Sequence, residues 1–323
     1  MKTYRSNGYN FDFNEDTGLF QRWGETEADD PQCAPGPETL DIEIDTRCSG
    51  GCQHCYKGNT ARGEVINPDA IKRILDERVP TLTQIAYGVG DFPSVSSRNI
   101  FFMTREAGIA PNVTIRPQRD QDFQALIDSG VKAIAVSRYD PAETYDVVRR
   151  LLGKVQQVTI HQVLAEETLP KCIQTLLDVA NPRNGLQGLH AVTFLLLKPK
   201  GRAKGAMHAP PKKAFRFLLE MARKLNVRLG FDSCSAPYVA DAAKDLGWDI
   251  AESIEPCESG LFSLYIDVKG EAYPCSFAPG EPGWETGIPV TSIAEVWRHP
   301  RIEAWRKTLL ENGRRCPLFR LEP

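Results

Sequence analysis

Three thiols stand close together in Cys48-Ser49-Gly50-Gly51-Cys52-Gln53-His54-Cys55-Tyr56, four and then three residues apart. Ligands so spaced on one loop can wrap a small inorganic cluster, and three thiolates on a cubane [4Fe–4S] cluster leave its fourth iron without a protein ligand. Such an iron is a place for chemistry as well as for structure. Gly50-Gly51 suits the tight backbone that the loop needs. Zinc is the competing occupant, but structural zinc sites take four ligands, commonly from paired Cys or Cys/His motifs. His54, inside the loop, is poorly placed to be the fourth. A disulfide is disfavoured by the odd total of nine cysteines and by the lack of an apolar stretch behind Met1-Lys2-Thr3-Tyr4-Arg5-Ser6. The spacing favours a cluster and leaves zinc, or no metal, open.

The elements that must hold this loop lie on both sides of it. Leu40-Asp41-Ile42-Glu43-Ile44 alternates as a strand and delivers the cysteines at its C-terminal end. Asn67-Pro68 then reads as an N-cap with proline at the first helical position, opening a helix to about residue 78. Apolar strands are expected at 82–87, 113–115, 133–136, 158–163 and 192–197, with helices at 96–106, 121–128, 142–152 and 169–179. Gly130 and Gly153 stand where helices stop. Strands alternating with helices imply an α/β fold with a parallel sheet, whose sites form at the C-terminal strand ends.

Outside this region the rhythm differs. Tyr9–Phe13 and 19–23 alternate around Asn14-Glu15-Asp16-Thr17-Gly18 and predict an N-terminal β-hairpin, placed either on a sheet edge or over an active site. An acidic, proline-marked linker follows, in which Cys33 has no expected role. The organisation expected is a hairpin extension at 1–38, a barrel at 39–226 and a small cysteine-bearing domain at 227–323. The 323 residues suffice for one barrel-like domain with an appendage. Net charge of −3 gives no phosphate-tracking surface, so nucleic acid is not an expected partner. No apolar run reaches about 18 residues, so no membrane partner is expected either. Nine cysteines without a secretory signal fit a cytoplasmic protein.

Cys-x3-Cys-x2-Cys followed by an aromatic residue, after a first strand, resembles the signature of the radical S-adenosylmethionine (SAM) superfamily. The resemblance implies a partial (β/α)6 TIM barrel in which Cys48, Cys52 and Cys55 hold a [4Fe–4S] cluster and Tyr56 lies near the adenine of SAM. It also implies reductive cleavage of SAM to a 5′-deoxyadenosyl radical that abstracts hydrogen from substrate, with flavodoxin or ferredoxin as electron donor. Gly88-Val89-Gly90-Asp91 occupies the place where that family carries Gly-Gly-Glu-Pro against the amino group of SAM. It departs by a residue between the glycines and by Asp for Glu, and a plain strand-to-helix turn is the bland alternative. By the same resemblance Ser137 and Arg138 would serve the ribose or carboxylate, His161 and Gln162 the adenosine. Leu197, before Pro199-Lys200-Gly201-Arg202, lies in the segment matching the family's sixth strand end.

The remaining cysteines fall late. Cys257-x12-Gly270-x4-Cys275 resembles the opening of SPASM and Twitch domains, which bind auxiliary [4Fe–4S] clusters. Residues 264–268 and 271–273 predict a hairpin over Lys269-Gly270 that brings both thiols to one end. A full SPASM domain carries about seven cysteines; here Cys316 and Cys234 complete a set of four, making a truncated version. Cys234 either closes the auxiliary cluster or is a buried thiol that leaves an iron open, and Cys172 reads as core packing. The expected function is a radical SAM enzyme with two [4Fe–4S] clusters acting on a small molecule, nucleoside or sugar-like, by dehydrogenation, rearrangement or sulfur insertion. The alternatives are a ribosomal-peptide maturase and a non-enzymatic zinc-binding module. Glu43, Arg116, Arg119 and Asp232 are candidate substrate contacts.

Overall fold

A computed structural model describes residues 1–319. The chain opens with strands β1 (Lys2–Ser6), β2 (Tyr9–Phe13) and β3 (Phe20–Trp23), which form an antiparallel three-stranded sheet. The expected hairpin is β2–β3, and β1 adds a strand that the sequence reading passed over. Asn7 (φ 50°) and Gly8 (φ 75°) make the two-residue turn between β1 and β2, which requires the left-handed region that Asn-Gly supplies. Phe11, fully buried, stacks between Tyr4 (5.5 Å) and Phe20 (5.1 Å).

The main sheet has ten strands: β4 (Thr39–Glu43), β5 (Gln84–Gly88), β6 (Ala110–Ile115), β7 (Ala133–Ser137), β8 (Gln157–Leu164), β9 (Ala191–Leu196), β10 (Leu229–Phe231), β11 (Ser263–Ile266), β12 (Glu271–Tyr273) and β13 (Ile288–Pro289). Their order is β10-β9-β8-β7-β6-β5-β4-β11-β12-β13. From β4 to β10 neighbours are parallel and in chain order, as βα units require. The six expected strands are all present and β10 is a seventh. The C-terminal hairpin forms as β11–β12, and β11 also pairs in parallel with β4, so the hydrogen-bonded sheet runs on across the expected boundary at 226/227. Helices α1 (Pro68–Asp76), α2 (Val95–Glu106), α3 (Phe123–Asp128), α4 (Pro141–Leu151), α5 (Leu169–Ala180) and α6 (Lys213–Leu225) follow successive strands of the parallel run. The C-terminal part adds α7 (Ala236–Asp245), α8 (Ile293–Trp297) and α9 (Pro300–Glu311). No helix among the described residues is long and apolar enough to cross a membrane.

The two faces of the sheet have different chemistry. One row of each strand is apolar and covered by helices: Tyr87 of β5 meets Phe101 of α2 at 5.2 Å, and Val158, Ile160 and Leu164 of β8 are buried. The alternate row, Thr39 and Asp41, Gln84 and Ala86, Asn112 and Thr114, Thr159 and His161, is largely small or polar and only partly buried, with Val163 and Leu195 as apolar members where β8 meets β9. A parallel sheet normally buries apolar residues on both faces. This one keeps a polar inner face, as a binding surface would.

The N-terminal sheet sits at the starts of the parallel strands, opposite the cysteine loop. Lys2 donates to the Leu82 carbonyl before β5, and Gln157 at the start of β8 donates to the Thr17 carbonyl. Arg22 of β3 pairs with Glu38 (2.8 Å), just before β4, and Tyr9 donates to the same carboxylate. The extension therefore covers the N-terminal ends of the parallel strands, away from the cysteine loop. Arg22→Met leaves the largely buried Glu38 without its cation. The expected loss is about 3–5 kcal/mol in chemical denaturation, and Arg22→Met with Glu38→Gln should lose less than the two single losses added.

Candidate active site

The loop between β4 and α1 carries Cys48, Cys52 and Cys55, and the ends of other strands hold it in place. After β5, Gly90 approaches so closely that a Cβ there would lie 1.9 Å from the Arg47 carbonyl oxygen. Its neighbour Asp91 accepts from the Ser49 N–H (2.8 Å) and the Cys48 thiol (3.3 Å). After β6, Arg116 lies 3.6 Å from Asp91 and 5.3 Å from the Tyr139 ring centroid. After β7, the Tyr139 hydroxyl is 3.3 Å from Cys52 Sγ, and its ring stacks on His54 at 5.9 Å. After β9, the Arg202 N–H donates to the Cys55 carbonyl (3.0 Å), and its guanidinium donates to the carbonyls of Cys52 (3.2 Å) and Asn59.

The other expected site residues divide by strand alternation. Ser137 and His161 pair in register on the inner face. Arg138 and Gln162 fall on the outer row: Arg138 donates to Thr175 of α5 (3.2 Å) and to the Tyr139 carbonyl (2.7 Å), and Gln162 is 4% exposed. Neither side chain faces the cysteine loop. Leu197 is buried against Ala165, Ala203 and Met207. Gly88 closes β5 without a steric need for glycine, since a Cβ there would meet only ordinary contacts. Tyr56 turns toward the C-terminal part, hydrogen-bonding Ser276 and packing its ring 4.5 Å from Phe277. Arg119 offers its carbonyl to Arg150 (2.7 Å), and Cys172 is a core residue.

Two inner-face groups have shifted ionisation. Burial lowers His161 from 6.5 to about 4, against the pull of Asp232, so the imidazole is neutral at neutral pH. Burial also raises Asp41 from 3.8 to about 6, with Lys57 opposing. Asp41 was passed over in the sequence, although it shares the inner row with Thr39. Beside it Tyr265 donates to Glu43 (3.0 Å), and Lys57 reaches both Glu43 (3.4 Å) and Tyr265.

Cys234, Cys257, Cys275 and Cys316 line one cavity of about 160 Å³, with Asp41, Lys198, Tyr265, Phe277, Trp305 and Phe319 also in its wall. The thiols are unpaired, and burial pushes Cys275 up to about 12 and raises Cys234 and Cys257. Buried thiols kept neutral are the form that a metal deprotonates on binding. Among the described residues no three His, Cys, Asp or Glu groups converge closely enough to hold a single metal ion. Four thiols around one cavity form a donor set of the kind that a [4Fe–4S] cluster or a zinc ion takes.

No family model and no curated protein matches the chain. Solved structures do. SuiB of Streptococcus suis bound to the precursor peptide SuiA superposes with a TM-score of 0.66 at 13% identity, covering 85% of this chain and 67% of that one. SuiB bound to S-adenosylmethionine gives 0.63 at 14% identity, covering 84% and 68%. The likeness establishes a shared fold.

Gly90→Ala should leave the secondary structure of the chain unchanged by circular dichroism while displacing the Arg47–Cys48 backbone, so that iron bound by the first cysteine group after anaerobic reconstitution falls sharply. His161 supplies a pH test. Between pH about 6.5 and about 4 the unfolded imidazole binds a proton that the folded one refuses, so its contribution is present above 6.5 and lost as pH falls through this window. His161→Asn should flatten that part of the stability curve by up to about 3 kcal/mol, read as the difference between variant and parent.

Proposed function

We propose that this chain is a radical SAM enzyme with two [4Fe–4S] sites. The observation that carries the reading is the cysteine loop itself: three thiols at the C-terminal end of a parallel sheet, braced from the ends of β5, β6, β7 and β9. The shared fold of SuiB, solved with SAM bound, supports it. Cys48, Cys52 and Cys55 would hold the first cluster and leave one iron free of protein ligands. When bound, such a cluster supplies the electron that cleaves SAM to methionine and the 5′-deoxyadenosyl radical, the species that takes a hydrogen atom from substrate.

The protein's own groups would orient and shield. Asp91 fixes the Cys48–Ser49 backbone, Arg116 offers a cation above it, and Tyr139 holds Cys52. Across the inner face His161 stays neutral and Asp41 presents a carboxylate to a polar substrate, while Glu43 is held by Tyr265 and Lys57 and Asp232 by Lys198 and Ser235. Cys234 shares the cavity of Cys257, Cys275 and Cys316, which favours a fully ligated auxiliary cluster. Four thiolates leave no iron open for a sulfur species, so hydrogen abstraction with electron transfer fits better than sulfur insertion. A polar metabolite is the substrate that the inner face favours. The observation favouring a peptide instead is that the similar SuiB was solved with a precursor peptide.

Anaerobic reconstitution tests the reading. The expected result is iron and sulfide for two cubanes per chain and 5′-deoxyadenosine on reduction with SAM, lost in Cys52→Ala; zinc without iron and intact SAM would refute it. Cys234→Ala should lose the auxiliary cluster's spectrum and keep the SAM-responsive one. An unchanged auxiliary spectrum would remove Cys234 from the ligand set. Faster 5′-deoxyadenosine release with a small-metabolite extract than with a peptide pool would assign the substrate class.

A further inference from the structure

Lys198-Pro199-Lys200-Gly201-Arg202, leaving the end of β9, touches both cysteine groups. Lys198, its side chain 2% exposed, donates to Asp232 (2.9 Å) and to the Leu196 carbonyl (2.7 Å), and lies against Cys234. Asp232 also accepts from Ser235 (2.6 Å) and from the Leu196 N–H (3.2 Å), so the Cys234 turn is tied to β9 at several points. Lys200 reaches the turn after Cys275, donating to the carbonyls of Phe277 (2.8 Å) and Pro279 and to the Glu281 carboxylate (3.0 Å). Arg202 turns the other way and takes three carbonyls of the first cysteine loop. Between them Gly201, at φ 58°, lies on the Cys55–Tyr56 peptide, where a Cβ would stand 2.4 Å from the Tyr56 oxygen and 2.5 Å from that of Cys55.

We propose that this five-residue segment is a crossbar that fixes the two cysteine groups to one another, with Lys200 and Arg202 as positioning residues at its two ends. The inference rests on the reading that both groups hold clusters. Its ends grip backbone carbonyls, which makes the grip independent of neighbouring side-chain rotamers. Phe277 is where the contacts meet: Lys200 holds its carbonyl, Lys198 lies 4.8 Å from its ring, and the Tyr56 ring packs 4.5 Å away. A shift at either cysteine group is therefore transmitted to the other through the bar. The separation and orientation of two redox centres, and the space left for substrate between them, would be set here.

The test looks for a perturbation at the group that the altered residue does not touch. Lys200→Met and Arg202→Met are reconstituted in the full chain and compared with the parent by iron content and by electron paramagnetic resonance of the reduced protein, with and without SAM. The expected result is that Lys200→Met changes the SAM-responsive signal of the first cluster and Arg202→Met changes the auxiliary signal, with Lys200→Arg restoring the parent spectrum. Loss or change confined to the touched cluster would show two independent sites and overturn the proposal, as would spectra unchanged in both variants. If Lys200→Met does not fold, Lys200→Gln is read in its place by the same criteria. A parent protein with no iron and no SAM response would instead sink the functional reading.

Discussion

A loop that carries three thiols without regular structure must find partners for its own peptide groups, and the architecture around it follows from that need. Within the loop, Cys48 N–H donates to Thr60 and Cys55 N–H to Cys52. What remains is met from outside by groups that make several bonds at once: the Asp91 carboxylate for the Ser49 N–H, the Arg202 fork for the carbonyls. Such groups must arrive from different strands and at fixed depth. A parallel sheet provides this, because all its strands end on the same side and each can send one residue over the rim.

That arrangement separates stability from function along the strand axis. At the N-terminal ends the three-stranded sheet, Arg22–Glu38 and the Tyr9 hydroxyl close the structure. At the C-terminal ends the polar groups grip the cysteine loop. The inner face between them carries Thr, Asn, Gln and His beside only a few apolar residues, Val163 and Leu195 among them. Burial of the Asp41 carboxylate in that surface disfavours its charged form, with Lys57 opposing. Groups kept at that cost are more readily understood as contacts for a ligand than as fold determinants.

The parallel order of β4 to β9 and the cysteine loop were legible because each depends on local pattern. Two misses were legible too. Asn7-Gly8 is a strong hairpin signal, and naming Ser137 with Arg138, or His161 with Gln162, overlooks that successive strand residues face opposite sides. Arg138 lies outward for that reason, while Tyr139, one position on, returns to the site. The rest was not written in short-range pattern. β10 is three residues with Gly230 at its centre, too brief for periodicity. The pairing of β11 with β4 joins residues more than two hundred positions apart, and only packing decides it.

The Lys198–Asp232 pair illustrates what the C-terminal half is organised to do. A buried ion pair contributes little net stability, because desolvating both charges offsets most of their attraction. What it supplies is direction. Lys198 has three donors and spends them on Asp232, a backbone carbonyl and the neighbourhood of Cys234, while its charge lies near the Phe277 ring. An apolar residue of the same length would fill the volume and leave the β10–α7 turn free to choose its angle. With the pair in place, Cys234 is presented to the cavity from one side while β12 delivers Cys275 from another. The site thus depends on two segments distant in sequence meeting at a set angle, and a directional charge pair at their junction is the interaction best able to set it.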